Sequence, residues 1–172
     1  MTTEIIKNSI RFILLVLLQV IVIQNIHLGS YIILLPYVMV IILLPFETNK
    51  LVVLILAFLL GAVVDYFYDS SGLHAAACTT LGFSRYYVLK YISPREGYES
   101  GVAPTVDEMG LEWFLRYAGT LVLLHHFTLF YLEVFRFSEF FSTLLRVILS
   151  SVGTFALMYL IQFLFFTRLR RA

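Results

Sequence analysis

Six apolar stretches, most of them about as long as a bilayer is thick, take up nearly all of this sequence. A helix crosses a hydrocarbon core in about 20 mostly apolar residues, and at that length spans fit at about residues 10–28, 31–46, 51–68, 73–92, 113–135 and 140–166. Composition agrees. Of 172 residues, 60% are hydrophobic and 13% charged, against about 45–50% and about 25% in a soluble domain. That balance excludes a soluble enzyme, a disordered tail and a basic nucleic-acid binder; the net charge of +1 also argues against attraction to polyanions. The fold class that follows is all-α: a polytopic integral membrane protein of six transmembrane helices in one domain, multi-pass in its membrane.

Two of the stretches are irregular. The second is short, broken by Pro36 and closed by Pro45, and the fourth is the least apolar. The connections are mostly tight: His27-Leu28-Gly29-Ser30, Glu47-Thr48-Asn49-Lys50, Asp69-Ser70-Ser71-Gly72 and Arg136-Phe137-Ser138-Glu139. Loops of that length make successive helices antiparallel neighbours. Ser93 to Glu112, with Pro94, Gly97, Gly101, Pro104 and Gly110, reads as one exposed loop. Orientation follows the basic residues. With the N-terminus in the cytoplasm, Lys7, Arg11, Lys50, Lys90, Arg95, Arg116, Arg168, Arg170 and Arg171 all lie at inner ends, and only Arg136 lies in an outer loop. Both termini are therefore expected on the cytoplasmic side, together with the loop 93–112. The single cysteine, Cys78, excludes an intrachain disulfide. The apolar run behind Lys7 and Arg11 lacks a small-residue cleavage site and reads as a retained span.

Ionisable groups inside lipid cost at least a few kcal/mol, so each needs a reason. Asp65, His74, Glu133 and Arg146 are expected to converge on the outer half of the membrane as a polar network, with Arg146 paired to Asp65 or Glu133. A buried pair that fixes helix register accounts for them as well as a proton or substrate path does. Ser142, Arg146, Ser150 and Thr154 recur every four residues and share one helix face. With Gly153 near that face, the stripe suits close helix contact, as do Gly61 with Asp65, and Ala75, Cys78, Thr79 and Gly82. His125 and His126 are adjacent, hence about 100° apart on a helix, a poor arrangement for one metal ion. Hydrogen bonds inside the bundle suit them better. Arg85 and Lys90 lie near enough to the inner face to snorkel. No H-E-x-x-H, G-x-S-x-G or phosphate-binding glycine loop occurs. Ser150 and either histidine share a depth, but no glycine-rich turn flanks the serine. No catalysis, cofactor or metal is expected.

The stretch Leu59-Leu60-Gly61-Ala62-Val63-Val64-Asp65-Tyr66-Phe67, followed by Ser71-Gly72-Leu73-His74-Ala75-Ala76-Ala77, resembles the signature of MreD, the rod-shape-determining membrane protein family of bacteria. Leu35-Pro36-Tyr37-Val38 fits that pattern. Tyr91-Ile92-Ser93-Pro94-Arg95-Glu96-Gly97-Tyr98-Glu99, and His125-His126 followed by Glu133-Val134-Phe135, resemble its Bacteroidetes branch. The resemblance implies a fold similar to the S-components of energy-coupling-factor transporters. It also implies a non-catalytic scaffold of the cell-elongation (rod) complex in the inner membrane, supporting lateral peptidoglycan synthesis and cell shape. The implied partners are an MreC-like protein, with MreB, RodA and a class B penicillin-binding protein around it, and membrane lipids; nucleic acid is not among them. Gly61, Asp65, Gly72, Leu73 and His74 match the family's best-marked segment. Two further readings stand beside the scaffold: a small-molecule carrier of the S-component type, with the outer polar cluster lining its pocket, and an intramembrane enzyme. The loop 93–112 is either a contact for inner-face partners or a solvated connector.

Overall fold

A computed structural model of the chain describes residues 2–26, 29, 31–99 and 101–165. It is all-helical, with no strand among the described residues. The α-helices are α1 (Thr2–Leu17), α2 (Met39–Ile42), α3 (Lys50–Tyr68), α4 (Leu73–Tyr91), α5 (Val106–Met109), α6 (Leu111–Val134) and α7 (Phe140–Phe165). α1 continues through a π-helical turn, Leu18–Val22, and a 3-10 turn, Ile23–Asn25. Among the described residues two helices, Lys50–Tyr68 and Phe140–Leu164, are long and apolar enough to cross a membrane. His27, Leu28 and Ser30 of the expected first turn, the side chain of Lys7, and Phe166, Arg168, Arg170 and Arg171 lie outside the described residues.

α3 and α4 form a close antiparallel hairpin. Asn49 starts α3 by accepting the Leu51 N–H at 2.8 Å, as helix N-caps do. Asp69, in the left-handed region at φ 55°, ends it. The two axes approach because their facing positions lack bulk. A Cβ on Gly61 would overlap the backbone of His74 and Ala75, and one on Gly82 would come within 2.8 Å of the Ala57 Cβ. Outward, the hairpin and α7 present large apolar side chains such as Leu51, Phe58, Phe83, Val152 and Phe163. Inward lie Asp65, His74, Arg85, His125 and Thr154, all buried.

The second apolar stretch, expected to be broken by Pro36, is helical only in part and is not one continuous helix. Residues 32–35 carry no regular structure, Pro36–Val38 make a 3-10 turn, and α2 adds four residues. Proline explains the break. It bars its predecessor from the α region, and Leu35 sits at φ −129°, ψ 60°; at the first helical position the missing N–H costs nothing. From Leu35 to Leu44 every residue is buried, the mark of a segment enclosed on all sides. α1, α3 and α7 pack around it, and side chains of α4 and α6 bond to it.

The connector after α4 is also more ordered than the exposed loop expected for 93–112. Pro104 and Thr105 are buried. Thr105 caps α5 by accepting the Glu108 N–H, and the Val106 N–H donates to Gln162 Oε1 at 3.0 Å. Tyr98 stacks on Phe46 at 4.2 Å between ring centres and donates to the Leu89 carbonyl at 2.9 Å. Partial burial raises the Tyr98 phenol above its ordinary pKa.

Candidate functional site

Backbone that leaves a helix inside a protein must find other hydrogen-bond partners. Around residues 31–45 those partners are the polar side chains of the surrounding helices. Four residues of helix rise about 6 Å, and two residues of extended chain cover about 6.6 Å. Ser150 and Thr154 of α7 therefore match alternate amides: Ile33 N–H donates to Ser150 Oγ at 3.0 Å and Leu35 N–H to Thr154 Oγ1 at 3.1 Å. The Ser150 hydroxyl donates onward to Tyr31 O at 3.1 Å. Gln19, in the π-helical turn, donates to Leu34 O at 3.2 Å and to the Tyr68 hydroxyl at 2.6 Å. At the other end Arg11 donates to Leu43 O, Tyr117 to Ile42 O, and Arg85 to Leu44 O at 2.6 Å and Pro45 O at 3.2 Å. Ser150, Gly153 and Thr154 of the small-residue face of α7 thus serve this irregular segment, while Ser142 of the same face bonds Glu139 O and Arg146 meets Glu133. Gly153 leaves room for Leu34, whose Cδ2 would lie 2.9 Å from an added Cβ.

Arg85 differs from the expected snorkelling residue. It is 3% exposed, and its Nε donates to the Tyr117 hydroxyl at 2.9 Å. Carbonyls at the end of the central segment need a donor there, and Arg85 supplies it.

Tyr37 projects from that segment between two imidazoles, 2.8 Å from His74 Nδ1 and 3.0 Å from His125 Nε2. One phenol proton serves two nitrogens, so one ring must donate and the other accept. His125 Nδ1 is buried without a partner. A bare lone pair there costs less than a stranded N–H, which assigns the proton to Nε2. His125 then donates to Tyr37, and Tyr37 to His74. Cys78 Sγ lies 3.7 Å from His125 Nε2. His126 faces elsewhere. Its Nδ1 lies 2.8 Å from Val122 O, an acceptor, so Nδ1 carries the proton and Nε2 accepts from the Thr154 hydroxyl at 3.2 Å. The adjacent histidines thus serve different partners.

The four residues of the expected outer network fall into two groups. Asp65 takes the Ser70 hydroxyl at 2.6 Å and the His74 N–H at 2.9 Å on Oδ1, and the Ala75 N–H at 2.8 Å on Oδ2. It caps α4 from the preceding helix because the residue in the N-cap position, Gly72, has no side chain; at φ 86° that position favours glycine. His74 follows through its amide and its ring, and Leu73 packs partly buried on the core. Glu133 and Arg146 form a separate ion pair, Nη1 to Oε2 at 3.1 Å, with the guanidinium 4.3 Å from the Phe130 ring centre. Arg146 thus pairs with Glu133 and not with Asp65.

Chemically, the arrangement can pass a proton along His125, Tyr37 and His74. Nucleophilic catalysis needs a nucleophile, a base and a group orienting that base. Ser150 is bonded to backbone, and among the described residues no group orients His125 at Nδ1. Among the described residues no group of three or more His, Cys, Asp and Glu is placed to hold a metal ion. Sequence reasoning gave no role to Tyr37, Gln19 or Tyr117; for Gln19 and Tyr117 the only signal was a polar atom in an apolar run, and Tyr37 stood as well in the family-like stretch around Pro36. No family model, curated protein or solved structure matches the chain.

Proposed function

We propose that this chain is a non-catalytic scaffold subunit of the bacterial cell-elongation machinery, an MreD-like protein of the inner membrane that binds an MreC-like partner. In this reading α1 with its π and 3-10 extension, the segment 31–46, and α3, α4, α6 and α7 make six passes, with both termini cytoplasmic. MreB, RodA and a class B penicillin-binding protein would join through the partner. One observation carries the reading: the buried polar side chains are largely committed to the protein's own backbone, at Ser150, Thr154, Gln19, Arg85, Tyr117 and Asp65. That is the economy of a rigid scaffold, in which little polar chemistry is left for turnover. The resembling residues support it as well, since Gly61, Asp65, Gly72 and His74 gather in one hairpin end where close approach, a left-handed turn and a cap explain each of them.

The test is co-expression with the MreC-like protein of the same host and purification through a tag on this chain. A stoichiometric complex surviving detergent and size exclusion is expected. A partner-free monomer, from membranes in which the partner is present and folded, would sink the scaffold reading. The carrier of the S-component type is the second reading. It is favoured by the irregular segment 32–35 lying beside the π-helical turn of α1, since broken helices build substrate sites in transporters. A saturable metabolite found by thermal-shift screening would move it forward.

A further inference from the structure

Lys50 opens α3 and Lys90 lies in the last turn of α4, so the antiparallel hairpin brings them to one end. Lys50 Nζ sits 3.2 Å from the centre of the Tyr86 ring, and Lys90 lies four residues beyond Tyr86 in α4, one turn on along the same face. Among the described residues no carboxylate pairs with either lysine. Two like charges therefore flank one tyrosine, and a ring face offsets only the ammonium above it. An anion between them would answer both.

The surface beside this pair is apolar. Gly82 faces Ala57 and Val53, which sets the register of the hairpin and puts Phe83, the next residue of α4, at the depth of the first turns of α3. Leu51, Ile55 and Phe83 are all at least half exposed. Tyr86, Tyr87 and Tyr91 are exposed at the same end, and amphipathic rings of this kind settle at a membrane–water boundary. A cationic pair above an apolar wall has the chemistry of an anionic lipid, head group and tail together; a free phosphate would have no use for the wall.

We propose that this end of the α3–α4 hairpin holds one anionic phospholipid, its phosphate between Lys50 and Lys90 and an acyl chain along Leu51, Ile55 and Phe83. The site rests on the membrane reading and not on the scaffold role; a chain that stays soluble without detergent would overturn the former by itself. The experiment is lipid retention by the full chain. The protein is extracted from vesicles of equal phosphatidylglycerol and phosphatidylcholine in mild detergent, and bound lipid is counted by native mass spectrometry. Wild type is expected to enrich phosphatidylglycerol roughly ten-fold, as two basic groups near a bilayer surface allow. Lys50→Gln/Lys90→Gln is expected to lose that preference. Arg116→Gln/Arg136→Gln, which removes the same charge elsewhere, is expected to keep it. Absence of enrichment in wild type, or equal loss in both double variants, overturns the site. Displacement of the lipid by millimolar inorganic phosphate would show an anion site without an acyl-chain component and overturn the lipid assignment.

Discussion

Asp65 and Arg85 are buried charges toward opposite ends of the same hairpin, and neither pairs with an opposite charge among the described residues. Each is spent on peptide groups instead. Asp65 meets the amides that open α4, where the helix dipole favours an anion; Arg85 meets carbonyls that close the central segment, where a cation fits. The difference is reach. Asp65 bonds residues no more than ten positions away, whereas Arg85 bonds residues 32 to 41 positions away on two other elements. One charge shapes a turn; the other ties a tertiary core. Glu133–Arg146 is a third case. It is an ordinary ion pair, and its glutamate side chain is 43% exposed.

Substitutions at Arg85, at Asp65 and in the Glu133–Arg146 pair can break or sharpen that comparison. Arg85→Met should have the largest effect. It strands the Leu44 carbonyl in an apolar interior, at about 1–3 kcal/mol, and removes the donor to the Tyr117 hydroxyl, which keeps only its bond to Ile42 O, so thermal unfolding in detergent should move down steeply. Arg85→Lys, which keeps a donor, should recover part of the loss. Asp65→Ala should cost about 1–2 kcal/mol, the scale of a lost helix cap. Asp65→Asn should cost less, because an amide oxygen still accepts. An Asp65→Ala loss as large as that of Arg85→Met, by the same melting assay, would refute the contrast in reach. Arg146→Gln should cost under about 1 kcal/mol. The charge swap Glu133→Arg with Arg146→Glu should restore most of that stability. Failure of the swap to melt above either single reversal would sink the pairing.

Much of this was legible in the sequence, and the failures have physical causes. Helices after residue 50 followed from length and apolarity, because tight turns leave such stretches little choice. Pro36 flagged trouble in the second stretch, yet hydropathy cannot tell a buried extended segment from a buried helix segment. Arg85 looked like a boundary residue by its distance from the end of α4. Only the Leu44 carbonyl and the Tyr117 hydroxyl, brought close in space, explain its burial. Asp65 looked free to seek Arg146 because nothing in the sequence shows that Gly72 leaves α4 in want of a cap. Arg146 was left between Asp65 and Glu133; a short turn joins its helix to that of Glu133, and that is the acid it meets.

The amides of Ile33 and Leu35 carry a consequence for biogenesis. Their hydroxyl partners, Ser150 and Thr154, lie 117 and 119 residues downstream. A ribosome makes the chain in order, so the second segment must wait through the synthesis of almost everything else. Until α7 arrives, those two amides lack the partners that hold them in the finished molecule. α7 thus closes the bundle around that segment, and a chain truncated before Thr154 would leave its own centre unfinished.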